Sequence, residues 1–136
     1  MPKKSFPADI GRLDDVIAFV EQELETLDCP AKDVASIDIS LEEIFVNVAH
    51  YAYPSGVGEA EITLEPTAER NGVSISISDK GQEFNPLEKP DPDITLSAEE
   101  RKIGGLGIYM TKKMMNSVVY ERRDNTNILT MVKYFS

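Results

Sequence analysis

The sequence reads LEEIFVN at residues 41–47, DKG at residues 79–81 and GGLG at residues 104–107. The first segment lies in a helical pattern and places a carboxylate one turn before an amide, which suits a general base beside a metal ligand. The second follows an alternating strand and carries a carboxylate into a tight turn. The third opens onto an amphipathic helix, where backbone N–H groups can gather around phosphate. Each segment alone is a weak signal, but together and in this order they indicate an ATP site.

The first segment belongs to a helix with one apolar and one polar stripe. The apolar stripe is formed by Ile37, Leu41, Ile44 and Val48, and the polar one by Ser40, Glu43, Asn47 and His50. Glu43 and Asn47 are one turn apart and are predicted to point together, whereas Glu42 is displaced by about 100°. Asn47 offers a neutral oxygen to Mg²⁺, and Glu43 can then accept a proton from a nucleophile. A solvated polar face without a ligand is the alternative.

Asp79 and the glycine cluster supply the other two parts of the pattern. Asp79 ends a strand and is predicted to accept a hydrogen bond from an exocyclic amine such as that of adenine, while Gly81 permits the following turn. Gly104, Gly105 and Gly107 let a ligand approach the backbone, and the helix after them favours anions. The cluster is not a Walker P-loop, because no Gly-Lys-Ser/Thr is present. An ordinary Asp-x-Gly turn and a glycine turn without a ligand are the alternatives.

The remaining periodicities predict an α+β arrangement. We predict a short first strand, helices over 9–27 and 30–52, a hairpin of strands 59–65 and 73–78, a helix over 106–115 and a closing hairpin of strands 117–123 and 128–135. Residues 80–103 contain Pro86, Pro90 and Pro92 and show no sustained period, so we predict a long mobile loop there. Long loops in compact domains are often functional lids.

Composition limits the classes to which the protein can belong. With 136 residues and 41% hydrophobic content, the chain is the size of a single domain, 1–136, with one core. The formal charge of -10 argues against direct nucleic-acid binding and against an anionic membrane, because phosphates would be repelled. Cys29 is the only cysteine, which excludes an intramolecular disulfide and a multi-cysteine zinc site. We find no signal peptide or apolar run that could span a bilayer, and expect a cytoplasmic protein.

The motifs resemble those of the GHKL ATP-binding superfamily and, within it, the small bacterial anti-sigma-factor serine/threonine kinases. The matching segments are EIFVN at 43–47, DKGQEFNP at 79–86, GGLGIY at 104–109 and NILTMV at 127–132. The resemblance implies a two-layer α/β sandwich of the Bergerat type, with a mixed sheet and helices on one face. It also implies a mobile ATP lid at about residues 82–103.

The resemblance assigns roles to individual residues. Glu43 would be the catalytic base and Asn47 the Mg²⁺ ligand. Asp79 would bind the adenine amine, and Gly81 would let the chain pass the base. The phosphates would be lined by Gly104, Gly105, Leu106 and Gly107. Thr130, on the last strand, would reach the adenine pocket.

The chain departs from the family pattern at two places. The usual histidine, one turn after the asparagine, is replaced by Tyr51, whereas His50 comes one residue earlier and is interpreted as a packing residue. Asn85 stands where the family often has aspartate. In the lid, the basic Arg101 and Lys102 are expected to contact phosphate, with simple solvation as the alternative.

Two classes of function follow from the resemblance. In the first, the protein is a kinase that transfers the γ-phosphate of ATP to a serine or threonine of a small antagonist (anti-anti-sigma) protein and sequesters a sigma factor. In the second, it is a nucleotide-dependent regulatory binding module with little or no turnover. Glu43 favours the kinase, because a pure binder has no need of a carboxylate there. The implied ligands are ATP or ADP with Mg²⁺, and relatives of this kind commonly form homodimers.

Overall fold

The structure, a computed structural model, describes residues 2–68, 70–88 and 106–135, with only the backbone of Leu106. In chain order, its elements are β1 (Lys3–Pro7), α1 (Leu13–Thr26), α2 (Ala31–Asn47), β2 (Glu59–Pro66), β3 (Gly72–Asp79), α3 (Leu106–Met114), β4 (Ser117–Arg123) and β5 (Thr126–Tyr134). Short 3-10 turns cover Ile10–Arg12 and Pro86–Glu88, and a π-helical turn, Val48–Ala52, continues α2. None of the described helices is long and apolar enough to cross a membrane.

The strands form one sheet in the order β1-β2-β3-β5-β4. Each neighbouring pair of described strands is antiparallel. The predicted α+β architecture is confirmed, but the predicted mixed sheet is wrong for these strands. The connections explain the difference: β2–β3 and β4–β5 are hairpins, and α3 followed by β4 returns β5 to the sheet in the direction opposite to β3.

The helices cover one face of the sheet, as predicted. On that face β2, β3 and β5 bury alternate residues, namely Ala60, Ile62, Leu64, Val73, Ile75, Ile77, Leu129 and Met131. The apolar stripe of α2 joins the same core, and its members Ile37, Leu41 and Ile44 are at most 1% exposed. The opposite face carries small polar residues such as Ser76, whose hydroxyl lies 3.1 Å from that of Thr130. One solvated face is typical of antiparallel sheets.

Several element boundaries differ from the predicted ones by one or two residues, and three differences affect the local structure. The first helix is preceded by a separate 3-10 turn, because Asp9 caps it by accepting a hydrogen bond from Gly11 N at 3.1 Å. The second helix ends in a π-helical turn. The closing hairpin turns through only two residues, Asp124 and Asn125, with φ of 53° and 59°. Asp and Asn tolerate this left-handed conformation, so β5 begins at Thr126, before the predicted residue 128.

The predicted loop 80–103 is described only as far as residue 88. Residues 89–103, with Arg101 and Lys102, lie outside the described residues, so the mobile lid remains a prediction. The described start is tied to the end of α2, because Gln82 N donates to Ala52 O and Gln82 Nε2 donates to Tyr51 O, both at 2.7 Å. We call residues 81–86 the lid root.

A carboxyl pair between α1 and α2 predicts how stability depends on pH. Burial and the nearby Glu21 carboxyl raise the pKa of Asp38 to about 7, from an ordinary value of 3.8. At pH values between 3.8 and about 7, the folded state therefore holds a proton that the unfolded state has released. The resulting contribution to stability is complete below about pH 4 and is lost as the pH rises through about 7.

Asp38→Asn should therefore unfold at a higher temperature than the wild type at pH 8, while the two proteins should converge near pH 4. Thermal unfolding followed by circular dichroism at both pH values measures this difference. Glu42→Gln is the control, because it removes an exposed carboxyl from the same helix. A difference between Asp38→Asn and wild type that is the same at both pH values would contradict the raised pKa.

Candidate functional site

Glu43 and Asn47 lie together on one side of α2, as the helical phase predicts. Asn47 Nδ2 donates to Glu43 O at 3.0 Å and lies 3.4 Å from Glu43 Oε1. Glu43 is half-buried, whereas Glu42 is exposed, which confirms the predicted helix register. Because the amide nitrogen is bonded to α2 itself, and no described residue donates to Asn47 Oδ1, that oxygen is available to a cation.

The first turn of α3 lies directly against the Glu43 carboxyl. A Cβ added at Gly107 would stand 2.0 Å from Glu43 Cδ and 2.2 Å from Oε2, so any other residue there would displace the Glu43 carboxyl. The glycine cluster and the α2 carboxylate are thus brought together. Gly104 and Gly105 lie outside the described residues, and only the backbone of Leu106 is described, so their roles in phosphate binding remain predictions.

Asp79 ends β3 and points into the core side of the sheet, where it is 4% exposed. Its Oδ1 accepts hydrogen bonds from Gly81 N and from Asn127 Nδ2, both at 2.9 Å. Burial raises the pKa of Asp79, and this effect outweighs the two hydrogen bonds and the charge of Arg122, which lower it. Asp79 is therefore a buried acceptor whose charged form depends on a few specific donors.

Asp79 and Asn47 line the same small cavity between α2 and the sheet. The other lining residues are Ile44, Val48, Ile77, Phe84, Pro86, Tyr120, Asn127 and Leu129. Its volume is about 20 Å³, and part of its wall is formed by Phe84 and Pro86 of the lid root. The Phe84 ring stacks on Tyr51 with centroids 5.0 Å apart. The cavity therefore combines apolar walls with one carboxylate, two amides and one phenol hydroxyl.

Gly81 lies so close to the backbone of Ala52 that a side chain has no room there. A Cβ at Gly81 would stand 2.0 Å from Ala52 O, the carbonyl to which Gln82 N is bonded. The lid root therefore runs in direct contact with the end of the π-helical turn. The predicted passage of the chain past a base at Gly81 remains a prediction, since the contact described here is with Ala52.

The histidine that departs from the family spacing lies outside the core. His50 belongs to the π-helical turn and is exposed, so the expectation of a packing histidine is wrong. The π turn, which is wider than an α-helical turn of 3.6 residues, changes the direction of the side chains after Asn47. Tyr51, which occupies the usual histidine position, instead stacks on Phe84 of the lid root.

The predicted role of Thr130 in the adenine pocket is wrong. Thr130 pairs with Ser76 and their hydroxyls meet on the open face of the sheet, away from Asp79. The residue of β5 opposite Asp79 is Asn127, which is 5% exposed and lines the cavity. The two-residue turn at 124–125 places Asn127 inside β5, opposite Arg122, and recognising this turn in the sequence would have included Asn127 in the strand.

Comparisons with known proteins show the family to which the sequence is related. The sequence model of the family described as "Histidine kinase-like ATPase domain" matches residues 6–133. The serine/threonine-protein kinase BtrW of Bordetella bronchiseptica is 28% identical over 100 residues, which cover 73% of this chain and 69% of BtrW. The serine-protein kinase RsbW of Bacillus cereus is 28% identical over 109 residues, which cover 75% of this chain but only 64% of RsbW.

A solved structure is similar in fold. The structure of the RsbU and RsbW domains of Rv1364c from Mycobacterium tuberculosis superposes with a TM-score of 0.62 at 16% sequence identity. The match covers 99% of this chain and 33% of the mycobacterial one. At this identity the likeness concerns the fold alone.

The close approach of Gly81 to Ala52 predicts a specific sensitivity to substitution. Gly81→Ala forces a Cβ against a carbonyl that cannot rotate away, so the free energy of unfolding should fall by about 1–3 kcal/mol, as at other overpacked sites. Gly11→Ala is the control, because its Cβ would meet only the Asp9 side chain at 3.5 Å, and should change stability by no more than about 0.5 kcal/mol. Equilibrium urea unfolding measures both, and equal losses would contradict the described contact.

Proposed function

The chain belongs to the histidine kinase-like ATPase domain family, and from this we propose that it is an ATP-dependent serine/threonine protein kinase of the anti-sigma-factor type. The family membership predicted from the three motifs is confirmed by the match over residues 6–133. The observation that most supports a kinase is the position of Glu43, which lies one turn from Asn47 and against Gly107. A carboxylate there, near a cavity that contains Asp79, suits proton transfer as well as binding.

We assign adenine binding to the cavity that contains Asp79. Ile44, Ile77 and Leu129 give it apolar walls for a purine ring, and Asp79 offers an acceptor to the exocyclic amine. The donor set therefore fits adenine, but the volume of about 20 Å³ is far below the roughly 300–1,000 Å³ of typical ligand pockets. Phe84 and Pro86 must therefore move outward when a nucleotide enters.

Asn47 fits a magnesium site on the α2 side of this cavity, next to Glu43. Its Nδ2 is bonded to Glu43 O, which leaves Oδ1 as the oxygen that can face a cation. Mg²⁺ commonly takes one or two protein oxygens and completes its shell with phosphates and waters, which suits a single amide ligand. When bound, Mg²⁺ would neutralise charge that develops on the phosphates.

In the proposed reaction, Glu43 accepts the proton of a serine or threonine hydroxyl while the oxygen attacks the γ-phosphate of ATP and ADP leaves. Gly107 places the beginning of α3 beside this carboxylate, where its N–H groups favour negative charge. Positioning and electrostatic stabilisation would supply most of the rate enhancement, as in other phosphoryl transfers.

We propose a small antagonist protein as the phosphate acceptor and a sigma factor as the second partner, with a homodimer as the working form in the cytoplasm. The names of BtrW and RsbW support the kinase part of this proposal. A nucleotide-dependent binding module is the alternative. It would bind such a partner in the presence of nucleotide without transferring phosphate to it.

Nucleotide binding is the first test, and calorimetry with ATP, ADP and Mg²⁺ measures it. The wild type should bind ATP, and Asp79→Asn should weaken ATP more than GTP because the acceptor for the adenine amine is partly replaced by a donor. Thr130→Ala is the control and should leave ATP affinity within about twofold, since Thr130 lies on the open face. No ATP binding by the wild type at millimolar concentration would refute the site.

Phosphate transfer is the second test, and radiolabelled ATP incubated with antagonist-like proteins encoded nearby measures it. Glu43→Gln keeps the size of the side chain but removes the base, so transfer should fall by about 10²-fold or more while ATP affinity changes little. Glu42→Gln is the matched control, and it should leave both quantities intact because its side chain is exposed. Loss of transfer in Glu42→Gln but not in Glu43→Gln would exclude the assigned base.

The magnesium role of Asn47 gives a separate prediction. Asn47→Ala should weaken Mg-ATP binding and turnover together, and the loss of affinity relative to wild type should shrink when Mg²⁺ is omitted, because the missing group is a cation ligand. Calorimetry with and without EDTA measures this. An equal loss of affinity under both conditions would assign Asn47 to the nucleotide itself.

A further inference from the structure

We propose that Asn127 is a positioning residue that aims the Asp79 carboxylate at the base and holds the lid root against β5. This inference rests on the proposed nucleotide site. It concerns a residue to which the motifs assign no role and which acts through Asp79 without touching the phosphates.

Asn127 is the centre of a hydrogen-bond network in which each side-chain atom has partners. Its Nδ2 donates to Asp79 Oδ1 at 2.9 Å and to Gln82 O at 2.8 Å. Its Oδ1 accepts from Tyr120 OH at 2.5 Å and from Arg122 Nη1 at 3.1 Å, and lies 3.4 Å from Phe84 N. A surface asparagine would not be held from so many directions.

The two carboxylate oxygens of Asp79 differ in their hydrogen-bond partners. Oδ1 is occupied by the Gly81 and Asn127 donors, whereas no described residue donates to Oδ2. A carboxylate fixed through one oxygen cannot rotate without breaking two hydrogen bonds. Oδ2 is therefore the oxygen left for an exocyclic amine, and Asn127 determines its direction.

Arg122 connects the same network to the lid root. Its Nη1 donates both to Asn127 Oδ1 and to Gly81 O, at 3.1 and 2.9 Å. Asn127 itself donates to Gln82 O and lies 3.4 Å from Phe84 N. Together with the bond from Arg122 to Gly81 O, three contacts therefore join residues 81–84 to the β4–β5 hairpin. Asp79, which would accept from the base, and the lid root, which must move to admit it, are therefore both held by Asn127.

The charged groups around Asp79 are few. From β4, the Arg122 charge lowers the pKa of Asp79, and Tyr120 stands beside it with a pKa raised by burial and by Glu83 of the lid root. From α2, the lining residues of the cavity are Ile44, Asn47 and Val48, which do not titrate. From β2, Glu59 and Glu61 line another cavity together with Asp79 and Lys80. An added negative charge at residue 127 would act on Asp79 and on its own bonded neighbours, Arg122 and Tyr120.

Asn127→Asp separates positioning from packing. It keeps the acceptor for Tyr120 and Arg122 but replaces the donor to Asp79 by a carboxylate oxygen. At pH 8 the variant should bind ATP about tenfold or more weakly than the wild type. ITP, which lacks the exocyclic amine, should lose no more than about twofold, because it does not use Asp79 Oδ2. Calorimetry on the full chain gives both affinities, and thermal unfolding without nucleotide reports the folded state.

The pH dependence of the ATP to ITP affinity ratio distinguishes a positioning role of Asn127 from a packing role. At pH 6 the two carboxyls of Asn127→Asp should share a proton, which restores a hydrogen bond at Oδ1, so the ratio of ATP to ITP affinity should recover towards that of wild type. The ratio cancels the titration of the phosphates, which the two nucleotides share. Equal losses for ATP and ITP at both pH values would overturn the positioning role and leave Asn127 as a packing residue.

A second pair of variants keeps the test valid if Asn127→Asp does not fold. Arg122→Met removes the link between Asn127 and Gly81 and should lower the ATP to ITP ratio about threefold. Arg123→Met is the matched control, because Arg123 follows it on the exposed side of β4, and it should leave the ratio unchanged. The same ratio in both variants would overturn the inference. A wild type that binds neither nucleotide would instead refute the proposed function on which it rests.

Discussion

The buried carboxylate of Asp79 is the interaction on which the arrangement of the site depends. At 4% exposure it has lost most of its hydration, and a buried charge must be matched by donors. The chain supplies two donors, Gly81 N of the lid root and Asn127 of β5, and the nearby charge of Arg122 of β4 also favours the charged form. Satisfying one acceptor therefore brings the end of β3, the closing hairpin and the start of the lid to fixed positions relative to each other.

The helix α2 connects the cavity that contains Asp79 with Glu43 and Asn47, the candidates for phosphate transfer. The phase of α2 puts Ile44 in the core and in the cavity wall, and puts Glu43 and Asn47 on the adjacent side. Because Ile44 is fully packed, the direction of the catalytic candidates is set by core packing and not by their own exposed contacts. The π-helical turn then ends the helix and presents Ala52 O to the lid root.

The sequence predicted most of the fold because its signals are local. Amphipathic periods identify α1, α2 and the strands, and the same period correctly separates Glu43 from Glu42. The missed features depend on geometry between segments. The family resemblance assigns Thr130 to the pocket, and the predicted last strand begins only at residue 128. The two-residue turn instead places Asn127 inside β5, where it pairs with Asp79. Likewise, a π turn at His50 has no simple periodic signal, and the direction of β5 follows from the whole chain path.

The division between rigid and movable parts has a consequence for how a nucleotide would enter. Asp79 and Asn47 stand on a strand end and a helix, where neighbours in the core restrain them. The wall that closes their cavity is different, because Phe84 and Pro86 belong to a segment held mainly by hydrogen bonds and by stacking on Tyr51. Such contacts can be exchanged for contacts with a ligand more readily than buried apolar ones. A bound nucleotide would thus replace some contacts of the lid root while Asp79 and Asn47 stay in place. Phe84 and Pro86 would then change position between the nucleotide-free and the nucleotide-bound protein.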